Sequence, residues 1–132
     1  MRFVRTIPFL AVIAGVAACG SSYTTGTSNT PPRPTGTPVM AATVDVQNNY
    51  FSPASVLLAT GGTVTWNWVG SGHSVTSAGS PALPSTAPVT DAPFTLGPVT
   101  FSTAGTYQYY CTVHGVAGSY GGGNMTGAIF VQ

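Results

Sequence analysis

Gly105-Thr106-Tyr107-Gln108-Tyr109-Tyr110-Cys111-Thr112-Val113-His114 is the stretch that says most about this chain. Tyr107, Tyr109 and Cys111 share one phase and should point inward, with Tyr110 out of phase and facing solvent. That period of two marks a half-buried β-strand. The strand ends on Cys111, and His114 follows across Thr112-Val113, so a sulfur and an imidazole can be aimed at one point. Taken alone, Cys-x-x-His is a weak signal, because a cysteine closing an aromatic strand is more often a small core residue.

Working outward, the same alternation recurs. Thr43-Val44-Asp45-Val46-Gln47 alternates, and Gly61-Gly62 then punctuates before Thr63-Val64-Thr65-Trp66-Asn67-Trp68, which puts Val64, Trp66 and Trp68 on one face. Ser55 to Leu58, His73 to Thr76, Phe94 to Leu96, Val99 to Ser102 and Gly127 to Val131 also read as strands. Residues 79–93, GSPALPSTAPVTDAP, read as a Pro-rich loop lacking the N–H groups that a central strand needs. Seventeen Gly and eleven Pro in 132 residues suit short strands joined by turns, and no helical period is present. The prediction is an all-β, Greek-key β-sandwich of about seven or eight strands over residues 42–132.

The chain holds two His and two Cys. Once Cys19 is set aside (below), Cys111 is alone, and an odd cysteine is an intermolecular bridge, an inert buried thiol or a metal ligand. Convergence favours the ligand: His73 lies at the start of a strand, and Met125 keeps the phase of Gly127, Ile129 and Val131. A copper cycling between Cu(II) and Cu(I) takes one thiolate, two neutral imidazoles and a soft, weak axial donor. Structural zinc takes four strong ligands, and neither Asp45 nor Asp91 stands where it would complete such a set. One copper is the better fit.

These residues resemble the cupredoxins of the plastocyanin type. The front half carries Phe51-Ser52-Pro53, Gly62-Thr63-Val64-Thr65-Trp66 and His73-Ser74-Val75. The back half carries Phe101, then Gly105 to His114 as quoted, then Met125-Thr126-Gly127-Ala128-Ile129-Phe130-Val131. The resemblance implies a cupredoxin-like sandwich and a single type 1 copper held by His73, Cys111 and His114, with Met125 as axial ligand tuning the potential. It implies that Ser74 hydrogen-bonds near the thiolate and that His114, among Val113, Val116 and Ala117, is the electron port, with Tyr110 a second entry route. Trp66 reads as core, whereas Trp68 replaces the family's usual polar residue and is expected to add apolar surface near the site. One departure stands out: ten residues separate His114 from Met125, more than plastocyanin-like proteins use. A core methionine, or a site without axial sulfur, is the rival reading of Met125.

The N-terminal end reads as an address. Arg2 and Arg5 precede the apolar run Ile7 to Ala18, too short to span a bilayer and suited to a signal peptide over residues 1–18. Val16-Ala17-Ala18-Cys19 resembles the lipobox of bacterial lipoproteins, which implies lipidation of Cys19; a plain secretory signal is the alternative. Residues 19–41, rich in Ser, Thr and Pro, read as a tether between anchor and domain. The expected location is extracytoplasmic, on the periplasmic or cell-surface side of a bacterial membrane.

Only 4% of residues are charged, with no Lys and no basic patch, which excludes nucleic-acid binding. Without the leader, Arg33 alone faces Asp45 and Asp91, so association with redox partner proteins should depend only weakly on salt. No small-molecule substrate is expected. Copper enzymes of this lineage need further His, and a binuclear centre needs a second nearby Cys. The leading function is electron transfer by one copper; a copper carrier or sink using the same ligands is the alternative. A metal-free scaffold domain is the third reading.

Overall fold

The computed structural model describes residues 29–132. The expected signal peptide over residues 1–18, Cys19 as the expected lipidation site and the first part of the expected tether fall outside the described residues. Among those described there is no helix; the elements are β1 (Val39–Gln47), β2 (Tyr50–Ser52), β3 (Ser55–Trp68), β4 (His73–Ser77), β5 (Ala87–Thr90), β6 (Phe94–Thr100), β7 (Gly105–Tyr110) and β8 (Thr126–Val131). Their order is β2-β1-β3-β8-β7-β4-β5, with β6 paired to β3.

The long strand β3 makes two layers out of this order. Its first part, Ser55–Leu58, runs parallel to β8, while Thr63–Trp68 lies between β1 and β6. The change of partner falls at Ala59–Gly62, where Thr60 N–H donates to Gln132 O (2.9 Å) and Gly61 N–H to Phe101 O (2.8 Å). The core fills the space between the layers. Val44, Val46, Val64, Trp66 and Val99 come from β1, β3 and β6, and Tyr107, Tyr109, Ile129 and Val131 come from β7 and β8. The alternation that predicted these strands is the alternation that is buried.

Strand direction fixes where chemistry can occur. Because β7 is antiparallel to both β4 and β8, its C-terminal end lies beside the start of β8, and the chain leaving it runs towards the start of β4. His73 opens β4, Cys111 follows β7 and Met125 precedes β8, so all three meet at one end of the molecule.

Three expectations are corrected. The Pro-rich loop 79–93 contains β5, which pairs with β4 at His73↔Thr90 and Val75↔Ala87. It stands at the end of the strand order, where the missing N–H of Pro88 costs no ladder bond on a further strand. The boundary at residue 42 falls inside β1, whose pairing with β3 begins at Val39↔Leu58. The end of the tether is also packed: Pro31 is buried, Pro32 O accepts from Ser55 Oγ (2.6 Å), and Gln108 Nε2 donates to Thr30 Oγ1.

This strap explains β8, which is buried at all six positions and so does not alternate. The inner face of β8 joins the main core, while Ala128 and Phe130 form a second cluster with Leu57 on the outer face. Arg33 lies over the Phe130 ring at 5.9 Å, within cation–π range. A chain beginning at Thr35 should therefore lose about 1–2 kcal/mol of stability through exposure of this cluster, a fall in Tm of roughly 5–10 °C. An unchanged Tm in a thermal melt would show that the strap contributes nothing.

Candidate metal centre

β4 and β7 bring His73 and Cys111 together before any metal is considered. The two strands pair at Thr76↔Tyr110 and Ser77↔Tyr109, and Ser74 completes the contact at the open end. Ser74 N–H points at Cys111 Sγ (3.4 Å), and Ser74 Oγ accepts from Thr112 N–H (2.9 Å). The Ser74 hydroxyl also lies 3.1 Å from Thr76 Oγ1 and 3.2 Å from Thr112 Oγ1. Ser74 thus holds both the Cys111 sulfur and the peptide N–H that follows it.

The long segment between His114 and Met125 leaves this geometry undisturbed because its base is tied. Cys111 N–H donates to Met125 O (3.0 Å), Gly115 N–H to Cys111 O (2.8 Å), and Met125 N–H to His114 O (3.0 Å). The chain can pass this closely only at a glycine: a Cβ on Gly115 would sit 2.6 Å from Met125 O. Residues 116–124 form an excursion above that base, with their own turn bonds Ser119 N–H to Val116 O and Asn124 N–H to Gly121 O. Met125 is fully buried directly below.

His73, Cys111 and His114 form the one group of metal-capable side chains among the described residues. His73 Nδ1 and His114 Nδ1 are 3.1 Å apart, and Cys111 Sγ lies 3.8 and 3.7 Å from them. A point equidistant from those three atoms is about 2.1 Å from each, the bond length of a first-row metal to imidazole or thiolate. One sulfur and two nitrogens around such a point, with a thioether-bearing residue buried beside them, is the donor set of a type 1 copper. Asp45 and Asp91 take no part: Asp45 accepts from Asn67 Nδ2 (3.2 Å) and Asp91 from Gly72 N–H (2.8 Å).

His73 is 1% exposed, and His114 is half-buried beside exposed Val113 and Val116. Burial, and after it the neighbouring His114, pull the His73 pKa below the ordinary imidazole value. Both effects favour the neutral ring that a metal requires. Tyr110, out of phase with buried Tyr107 and Tyr109, is half-buried on β7 between Thr76 of β4 and Thr126 of β8.

Two supports of His73 escaped the sequence reading. Trp68, expected as apolar surface, is 3% exposed; it packs edge-on against Phe94 (5.0 Å) and donates from Nε1 to His73 O (3.0 Å). Asp91 holds the turn before His73 through the Gly72 N–H. The alternation of Val64, Trp66 and Trp68 signalled burial of Trp68, but nothing in the sequence paired its indole N–H with a carbonyl five residues on.

No protein-family model matches the chain, and no curated protein sequence does. Solved structures do. The reduced, Cu(I) form of an amicyanin variant is 25% identical, with a TM-score of 0.52 over 70% of this chain and 82% of that one. A purple cupredoxin from Nitrosopumilus maritimus is 21% identical, with a TM-score of 0.54 over 69% and 99%. A copper-containing nitrite reductase from Thermus scotoductus is 20% identical over 83% of this chain but only 29% of its own. The fold is the cupredoxin fold, and its residues fit one type 1 copper.

Two expectations follow. Trp68→Phe keeps an aromatic ring, though a smaller one, and removes the donor to His73 O. It should cost about 1–3 kcal/mol in chemical denaturation and weaken copper binding; unchanged values would show that bond to be idle. For the metal-free protein, below pH 6.5 the unfolded chain takes up a proton on His73 that the folded chain resists. Stability should accordingly be level above that pH and fall as acid is added, through the lower pKa of the folded state; denaturation midpoints that rise with acid would contradict this.

Proposed function

We propose that this protein is a one-electron carrier operating between redox partner proteins through a type 1 copper held by His73, Cys111 and His114, with the Met125 thioether as weak axial ligand. The observation that carries this reading is the three-atom cluster, whose spacing already matches a bound metal. Copper supplies the Cu(II)/Cu(I) couple. The chain's own residues supply a fixed frame: the Ser74 contacts and the tied base of the 111–125 segment hold the donors in place, so the change in charge demands little movement.

His114 serves as the electron port, since it alone of the three reaches towards the surface and does so among the apolar side chains of Val113 and Val116. Tyr110, next to Cys111, offers a second route through the half-buried face of β7. Among the described residues Arg33, Asp45 and Asp91 are the only Lys, Arg, Asp or Glu side chains, so docking relies on shape and apolar contact and varies little with ionic strength. The leader, with Cys19 as the lipid-bearing residue, would place the domain outside the cytoplasm on a bacterial membrane, where such partners are reached by lateral diffusion.

Addition of Cu(II) to the purified protein should give a strong blue or green thiolate-to-copper band that is absent in Cys111→Ser. Met125→Leu should keep the colour and raise the reduction potential by tens of millivolts, a tenfold change in relative affinity being about 59 mV for one electron. A coloured protein with no reversible Cu(II)/Cu(I) wave would favour the copper carrier over the electron carrier. An unchanged potential in Met125→Leu would remove that residue from the site.

A further inference from the structure

We propose that Asn48 is a positioning residue for His73: its side-chain oxygen accepts the Nε2–H, which leaves Nδ1 unprotonated and turned towards Cys111. This deepens the type 1 copper reading and rests on it. A neutral imidazole carries one N–H, and a metal binds only the other nitrogen. His73 presents Nδ1 to the cluster, 3.1 Å from His114 Nδ1 and 3.8 Å from Cys111 Sγ. Its Nε2 faces away, with Asn48 Oδ1 at 3.4 Å. An amide oxygen there can only accept, so it selects the tautomer whose Nδ1 is bare.

The same choice orders the second imidazole. With the proton of His73 on Nε2, its Nδ1 is the acceptor of the 3.1 Å contact, and the N–H in that contact belongs to His114. Metal entry then has to displace a hydrogen from Nδ1 of His114 and none from Nδ1 of His73. The half-buried, port-side ring is the one that must rearrange, and the buried ring is ready beforehand.

Two features of the backbone aim Asn48 at His73. Asn48 and Asn49 are the two-residue turn between paired Gln47 and Tyr50, and Asn49 takes the left-handed conformation (φ 69°) that closes it. Across from the turn, Val69 and Gly70 both donate their N–H to Val46 O, which lays the chain before His73 against β1. Gly70 is buried there, and a Cβ on it would strike Asn48 Oδ1 and come within 2.9 Å of Asn48 N. The bare glycine leaves the lane through which the Asn48 side chain reaches the ring. A residue serving only the turn would not need that lane kept open.

The test is long-range ¹H–¹⁵N NMR of the metal-free full chain, together with Cu(II) affinity by competition. His73 should be Nε2–H in the wild type. Asn48→Ala should give mixed tautomers at His73 and copper binding weaker by about 10- to 100-fold. Gly70→Ala, which leaves the asparagine in place but closes its lane, should reproduce both effects, and Asn48→Asp, which keeps an acceptor, should restore both. A wild-type His73 protonated on Nδ1 would overturn the proposal, and that measurement stands even if a variant fails to fold. So would Asn48→Ala with tautomer and affinity unchanged. A wild type that gives no thiolate-to-copper band counts against the copper reading itself, whereas an intact band with an unresponsive tautomer counts against Asn48 alone.

Discussion

A sulfur and two imidazole nitrogens are held within bonding reach of one point by hydrogen bonds that involve no metal. Everything else in the molecule serves that convergence. Packing three polar groups into the end of an apolar sandwich costs desolvation, which shows in the lowered pKa of His73. The offset comes from hydrogen bonds around them: Ser74 on the cysteine, the Trp68 indole on the histidine carbonyl, and the mutual backbone bonds of Cys111, His114, Gly115 and Met125. A frame of this kind fixes ligand positions in advance and so resists the geometry changes that would slow the passage of an electron.

The sandwich achieves this through strand direction. Antiparallel pairing on both sides of β7 delivers three chain segments to one end, and β3, by contributing to both layers, joins that arrangement to the opposite wall of the core. The outer face of β8 would be an apolar liability at Phe130 were it not covered by Arg33. A segment whose composition has no core-forming pattern is thus part of the folded unit. It finishes a surface that the sheet leaves uncovered.

Much of this was legible in the sequence, for identifiable reasons. Strict alternation in Tyr107-Tyr109-Cys111 and Val64-Trp66-Trp68 set the buried faces, and rarity did the rest: with two histidines in the chain, His73 and His114 had few other roles to fill. What stayed hidden was local or non-periodic. β2 is three residues long and β5 carries a proline, so neither offers a period to read. The strap is held by a proline and a cation–π contact, which leave no pattern along the chain. The supports of His73, Trp68 and Asp91, lie 5 and 18 residues away, and no periodic pattern along the chain marks either contact.

The tied base beneath residues 116–124 separates two properties that a shorter connection would bind together. Because the three closing hydrogen bonds lie below the excursion, an added or deleted residue above them alters the outline of the molecule without tugging on the ligands. Closure entropy grows only slowly with length, so such changes are thermodynamically mild. The outline of this rim and the geometry of the donor cluster can therefore change independently of each other.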